Sequence, residues 1–111
     1  MTFPYMFVIK SVPMPQNRNY NTAGGAFVHI WVMDNDQESA LLRAYAYIRK
    51  YLWEPQEVQH AFQILPEQIP ELHEDEARLY QTALQYGVAA VFVGWLKDEG
   101  EPDWPAILWR A

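Results

Sequence analysis

An α+β two-layer sandwich, in which an antiparallel sheet carries two helices on one face, is the fold this sequence predicts from three observations. The stretch from Gly25 to Leu65 reads as strand, capped helix and strand. A second helical stretch ends at Gly87 and runs directly into the apolar run VAAVFV. The other apolar segments are short and alternate with a period of two, as strands do. A strand–helix–strand unit lays its helix on one sheet face with a right-handed turn, so it sets the architecture first.

Taken in order, Phe3 to Val12 has the β-branched and aromatic content of a strand, with Phe7 and Ile9 on one side and Met6, Val8 and Val12 on the other. Pro13 to Gly25 has no period and holds prolines, asparagines and a Gly-Gly pair, so an exposed loop joining a long hairpin is expected. Ala26 to Met33 is the next strand. Its aliphatic side, Val28, Ile30 and Val32, is expected to carry the helices, leaving Phe27, His29, Trp31 and Met33 on a mainly aromatic face. Asp34 is placed to cap the helix that follows, with Gln37 three residues on. From Gln37 to Tyr51 the residues Leu41, Ala44, Tyr45, Ile48 and Leu52 recur at helical spacing. Glu38 in the first turn and Arg49 and Lys50 in the last complement the helix dipole.

Trp53, Glu54 and Pro55 make a turn. Val58, His60, Phe62 and Ile64 then alternate with Gln59, Ala61, Gln63 and Leu65, and the apolar series is expected to face the helices. Pro66 to Pro70 is a connector. A second helix from near His73 to Tyr86, with Ala77, Tyr80, Ala83 and Leu84 inward, ends at Gly87 in a left-handed cap. Val88 to Val93, apolar throughout, is expected to be a central strand covered on both faces. KDEGEPDWP is an acidic loop, and AILWR is a last short strand or an apron over an edge. The split strand–helix–strand pattern points to ferredoxin-like topology, with an extra N-terminal strand and a Trp-rich C-terminal tail.

The stretch from Phe27 to Trp95 resembles small bacterial ferredoxin-like α+β proteins. It has the opening strand and acidic capped helix (IWVMDNDQESALLRAY), the aromatic turn (YLWEP), and the helix leading to a glycine and strand (LYQTALQYGVAAVFVGW). The resemblance is one of hydrophobic pattern and implies a fold alone. The N-terminal arm and the tail depart from it.

Composition narrows the function. The chain has 111 residues, half of them hydrophobic, enough for a single domain from residue 1 to 111 with one core. It has no cysteine, which excludes disulfides and thiolate chemistry and suits a cytoplasmic location. No signal peptide or membrane-spanning run is expected. Net charge is −6, and from Glu54 onward the acids greatly outnumber Arg78, Lys97 and Arg110. Acidic runs from Glu67 to Glu76 and from Asp98 to Asp103 would repel phosphate, so nucleic acid is not an expected partner. Glu71, Glu74, Asp75 and Glu76 form instead a candidate face for a partner with a basic surface.

No catalytic motif is present. Ser11 and Ser39 lie in no nucleophile elbow, and Gly24 and Gly25 lack the lysine and helix of a phosphate loop. His29 and His60 are expected on opposite faces, and His73 with Glu76 reads as a helix start, so no metal and no cofactor are expected. The two aspartates Asp34 and Asp36 are explained by capping. What exceeds a structural explanation is the aromatic face, because a contiguous apolar patch is rarely left to solvent. Phe27, His29 and Trp31 form it, Phe7 extends it if the strands pair in that register, and Gln63 is a candidate for its margin. A second copy of the chain is its expected cover, as a homodimer. The competing covers are the chain's own arm with Trp104, Ile107 and Trp109, or a small-molecule ligand oriented by His29, as in a dimeric α+β barrel. The overall expectation is a non-enzymatic protein-interaction module, adaptor-like or immunity-like.

Overall fold

The structure, a computed structural model, describes residues 1–102. Trp104, Ile107 and Trp109, and the expected tail strand, lie outside the described residues. The elements in order are β1 (Phe3–Pro13), β2 (Ala23–Asp34), α1 (Gln37–Lys50), β3 (Trp53–Gln63), a 3₁₀ turn (Pro66–Glu71), α2 (Glu74–Tyr86) and β4 (Val88–Leu96). The four strands form one antiparallel sheet in the order β3-β1-β2-β4, so the fold is α+β with helices packed on the sheet. The chain from β2 through α1 to β3 is a split crossover with β1 in the gap. The expected extra strand is therefore a central one.

Cross-strand register decides which side chains share a face. Tyr5, Phe7 and Ile9 lie opposite Val32, Ile30 and Val28, and Val88, Ala90 and Phe92 continue the same face. Ala40, Ala44 and Ile48 of α1 pack into this face and are fully buried with Phe7, Ile9, Val28 and Ile30. Each large side chain buried in this way contributes about 1.5–3 kcal/mol. Trp31 and Ala89 point to the other face, where Ala83 of α2, with Leu79 and Tyr80, packs against them.

The two helices therefore occupy opposite faces, which corrects the expectation that they share one. The reason lies in β2, which is apolar on both sides and needs a cover on each. A second correction concerns β4. Its apolar run forms an edge and is only partly covered: α1 takes Val88, Ala90 and Phe92 and α2 takes Ala89, while Val91 stays exposed.

Strand β3 departs from simple alternation. Ile9 lies opposite Val58 but Val8 opposite His60, and a second shift falls between Lys10 and Ser11. A bulge at Gln59 leaves Val58 and Ala61 toward α1 and turns His60 and Phe62 to the α2 side, which breaks the expected inward series. The sheet also curls around α1. Trp53 of β3 and Phe92 of β4 sit on opposite edge strands, yet their ring centroids are 6.1 Å apart, where a flat sheet would hold the strands about 14 Å apart.

The helix ends follow local chemistry. The N-cap of α1 is Asp36, whose side chain accepts from the Ser39 N–H at 2.8 Å; Asp34, the expected cap, pairs with Arg43 instead. Glu76 accepts from the His73 N–H at 3.1 Å, and Gly87 closes α2 at φ 87° with its N–H on the Ala83 carbonyl. Leu52, expected in the buried stripe of α1, is 39% exposed, and Leu84 of α2 is likewise exposed.

The Gly-Gly pair has a packing role. The Trp95 indole lies across the backbone there, and a Cβ on Gly25 would collide with its ring carbon Cζ2. Gly25→Ala is therefore expected to displace Trp95 from Phe27, whose ring lies 5.1 Å away, and to destabilise the fold by about 1–3 kcal/mol in urea unfolding. Unchanged stability would show that the indole can shift freely.

Candidate functional site

The aromatic face is built as the alternation of β2 requires, with Phe27, His29 and Trp31 on one side. It is filled within a single chain: their exposures are 2%, 1% and 0%. Trp31 packs among Ile64, Ala83 and Ala89, with the Tyr80 ring 6.1 Å away. Phe7 does not extend this face, because its register with Ile30 sends it into the α1 core. Gln63 lies opposite Tyr5, which places it on the α1 side and exposed. A barrel closed by two facing sheets needs a sheet face without a helix, and here each face carries one.

His29 and His60 were expected on opposite faces. The bulge in β3 puts both beside Val8, on the same face. His60 is exposed and stacks on Phe62 at 5.4 Å. Among the described residues, no three histidine or carboxylate groups converge in a way that could hold a metal ion. The acidic residues gather at the start of α2. Glu74 and Asp75 pair with Arg78, Glu76 caps the helix, and Glu71 is exposed.

Two features near β4 emerge that the chain's pattern did not announce. The first is a groove of about 320 Å³ between α2 and the sheet, with Leu79, Val91 and Val93 as apolar walls, His29 at its base, and Arg78 and Thr82 on α2. The second is the outer edge of β4. Among the described residues β4 pairs only with β2, and the strand VAAVFVGWL carries neither charge nor proline. The opposite edge, β3, holds Glu54, Pro55 and Glu57 and two register shifts. After β4 the chain turns at Gly100, and Glu101 pairs with Lys10 of β1, two strands in from the β4 edge.

No helix among the described residues is long and apolar enough to cross a membrane. No protein-family model, curated protein or solved structure matches the chain.

The burial of His29 has an electrostatic consequence. Desolvation disfavours the imidazolium and lowers its pKa from 6.5 to about 4. The unfolded chain then takes up the proton before the native state does. This contribution is fully present above pH 6.5 and is lost as pH falls toward about 4, a loss of about 3 kcal/mol. His29→Gln should remove this component, so that its stability declines less steeply than that of the parent chain between pH 7 and 4. Parallel pH profiles would exclude the assignment.

Proposed function

We propose that this chain is a small cytoplasmic protein-interaction module that works by strand addition at the outer edge of β4 rather than by catalysis. The observation that carries the reading is the contrast between the two edges. A long, uncharged, proline-free edge is a template for another strand, and charges, proline and bulges are the usual means of blocking one. The β3 edge has all three; β4 has neither charge nor proline, and the single register shift in its pairing, between Ala23 and Gly25, puts the extra residue in β2 at the end of the ladder.

A second copy of the chain is the simplest partner. Antiparallel pairing about a dyad at Phe92 sets Val91 against the partner's Val93 and Ala90 against the partner's Gly94, so apolar or small residues meet throughout. The blocked β3 edges then end the assembly at two. Because each chain carries a charge of −6, an uncharged seam spares the dimer close like-charge contacts. This dimer keeps the homodimeric reading and moves it from the aromatic face to the strand edge. The ferredoxin-like likeness extends only to the split crossover, since helices on opposite faces depart from a topology that holds both on one face. The acidic corner at Glu71, Glu74, Asp75 and Glu76 is the surface for a basic partner, whose binding would weaken with salt.

Val91 is 45% exposed on this strand. At about 100 μM, a range that resolves micromolar association, light scattering should give a dimer for the parent chain. Val91→Lys should give a folded monomer. A monomeric parent, or a Val91→Lys variant that still dimerises, would sink the strand-addition reading.

A further inference from the structure

Away from α2, the turn between α1 and β3 meets the β1–β2 loop at an open pocket of about 380 Å³. Tyr51, Trp53 and Phe92 are its aromatic walls, and Leu52 and the loop residues around Asn17 and Arg18 form the rest. The Phe92 ring lies 6.1 Å from both Tyr51 and Trp53, inclined by 63° and 42°. The three rings thus form a corner rather than a stack, and a corner offers a face or an edge to a fourth flat ring. The volume falls in the range of small-molecule sites.

The backbone holds this corner in place. Leu52 has φ 68°, the one positive φ at a residue other than glycine among the described residues. Its carbonyl accepts from the Met14 N–H at 2.9 Å and from the Asn17 side-chain amide at 3.0 Å. Asn17 is buried, and its other side-chain atom accepts from the Asn19 N–H at 2.8 Å. Leu52 directly follows the C-cap of α1, where a left-handed residue commonly closes a helix, and its carbonyl thereby meets Met14 and Asn17 and fixes the pocket wall.

Charge singles out the same place. Lys10, Arg43, Arg49 and Arg78 are each paired with a carboxylate. Arg18, exposed on the pocket, has no ion pair among the described residues, and Lys50 lies over the Tyr51 ring at 5.9 Å. Lys97, also without a carboxylate partner there, lies over Tyr20. In a chain this acidic, an arginine on an aromatic pocket with no carboxylate partner among the described residues, and with Lys50 held nearby over Tyr51, favours an anion.

We infer that this pocket binds a small flat aromatic molecule bearing an anionic group. The ring rests in the corner made by Tyr51, Trp53 and Phe92, and the carboxylate or phosphate meets Arg18. The site shares Phe92 with the proposed dimer seam, but its three rings come from one chain, so it is expected in the Val91→Lys monomer as well.

Amide and indole N–H signals of the full chain, followed by NMR during titration, test it with four probes. Indole-3-acetate carries a carboxylate and adenosine 5′-monophosphate a phosphate; indole and adenosine are their neutral counterparts. Binding of either anionic probe at millimolar or lower concentration, with shifts centred on Arg18, Leu52 and the Trp53 indole, is the expected result, and the probe that binds identifies the anion. Arg18→Gln should weaken that probe about tenfold, the scale of one charge-assisted hydrogen bond, and leave its neutral counterpart unchanged. Arg43→Gln, whose arginine is committed to Asp34, should change neither. The inference is overturned if both anionic probes leave these signals unmoved at about 10 mM. It is equally overturned if the shifts map to the α2 groove, or if Arg18→Gln binds as tightly as the parent.

Discussion

Strand β2 is buried on both sides, and the rest of the structure depends on that constraint. Every residue from Ala26 to Val32 is inaccessible to water, with aliphatic side chains toward α1 and an aromatic series toward α2. A strand of this kind cannot border solvent on either face, so each face recruits a helix. Strand β1, its neighbour, is drawn into the centre for the same reason. The two edges are left to strands of different character, β3 with its glutamates and bulges and β4 with its plain apolar run. The architecture is thus less a crossover with additions than a double-sided central hairpin with everything else packed around it.

Much of this was legible in the sequence. The four strands in outline, the two helices, the left-handed cap at Gly87 and the β1–β2 hairpin followed from period, capping chemistry and turn residues, which are local properties, though Trp53 to Pro55, expected as a turn, open β3 instead. The choice of face for α2 was not legible, because an amphipathic helix fits either side of a strand that is apolar on both. The bulge at Gln59 was equally hidden. It inserts one residue without any glycine to mark it, and it turns His60 and Phe62 to the other face. Asp34 and Asp36 were both suitable caps by type, and only the geometry of the first turn chose between them.

The candidate site shows the same division. Phe27, His29 and Trp31 were rightly grouped on one face, since alternation alone places them there. Their burial by α2 could not be read without knowing the helix's side. The two surfaces with more functional promise were missed for different reasons. The significance of VAAVFVGWL comes from its position at an edge, and continuous apolar sequence looks the same at an edge and at a centre. The aromatic corner draws on the β1–β2 loop, the α1–β3 turn and β4, three places that sequence distance keeps apart and the curl of the sheet brings together.

The position of β4 also bears on how the chain reaches its native state. Strands β1, β2 and β3 and helix α1 all precede β4, and a growing chain presents its N-terminal part first. The α1 side of the core can therefore begin to assemble while β4 is still being synthesised. Until β4 arrives, the long apolar edge of β2 lies open, and Val88, Ala90 and Phe92 are missing from the core. The nascent chain thus has an interval of exposure that the finished protein lacks, and its length is set by how soon β4 emerges from the ribosome.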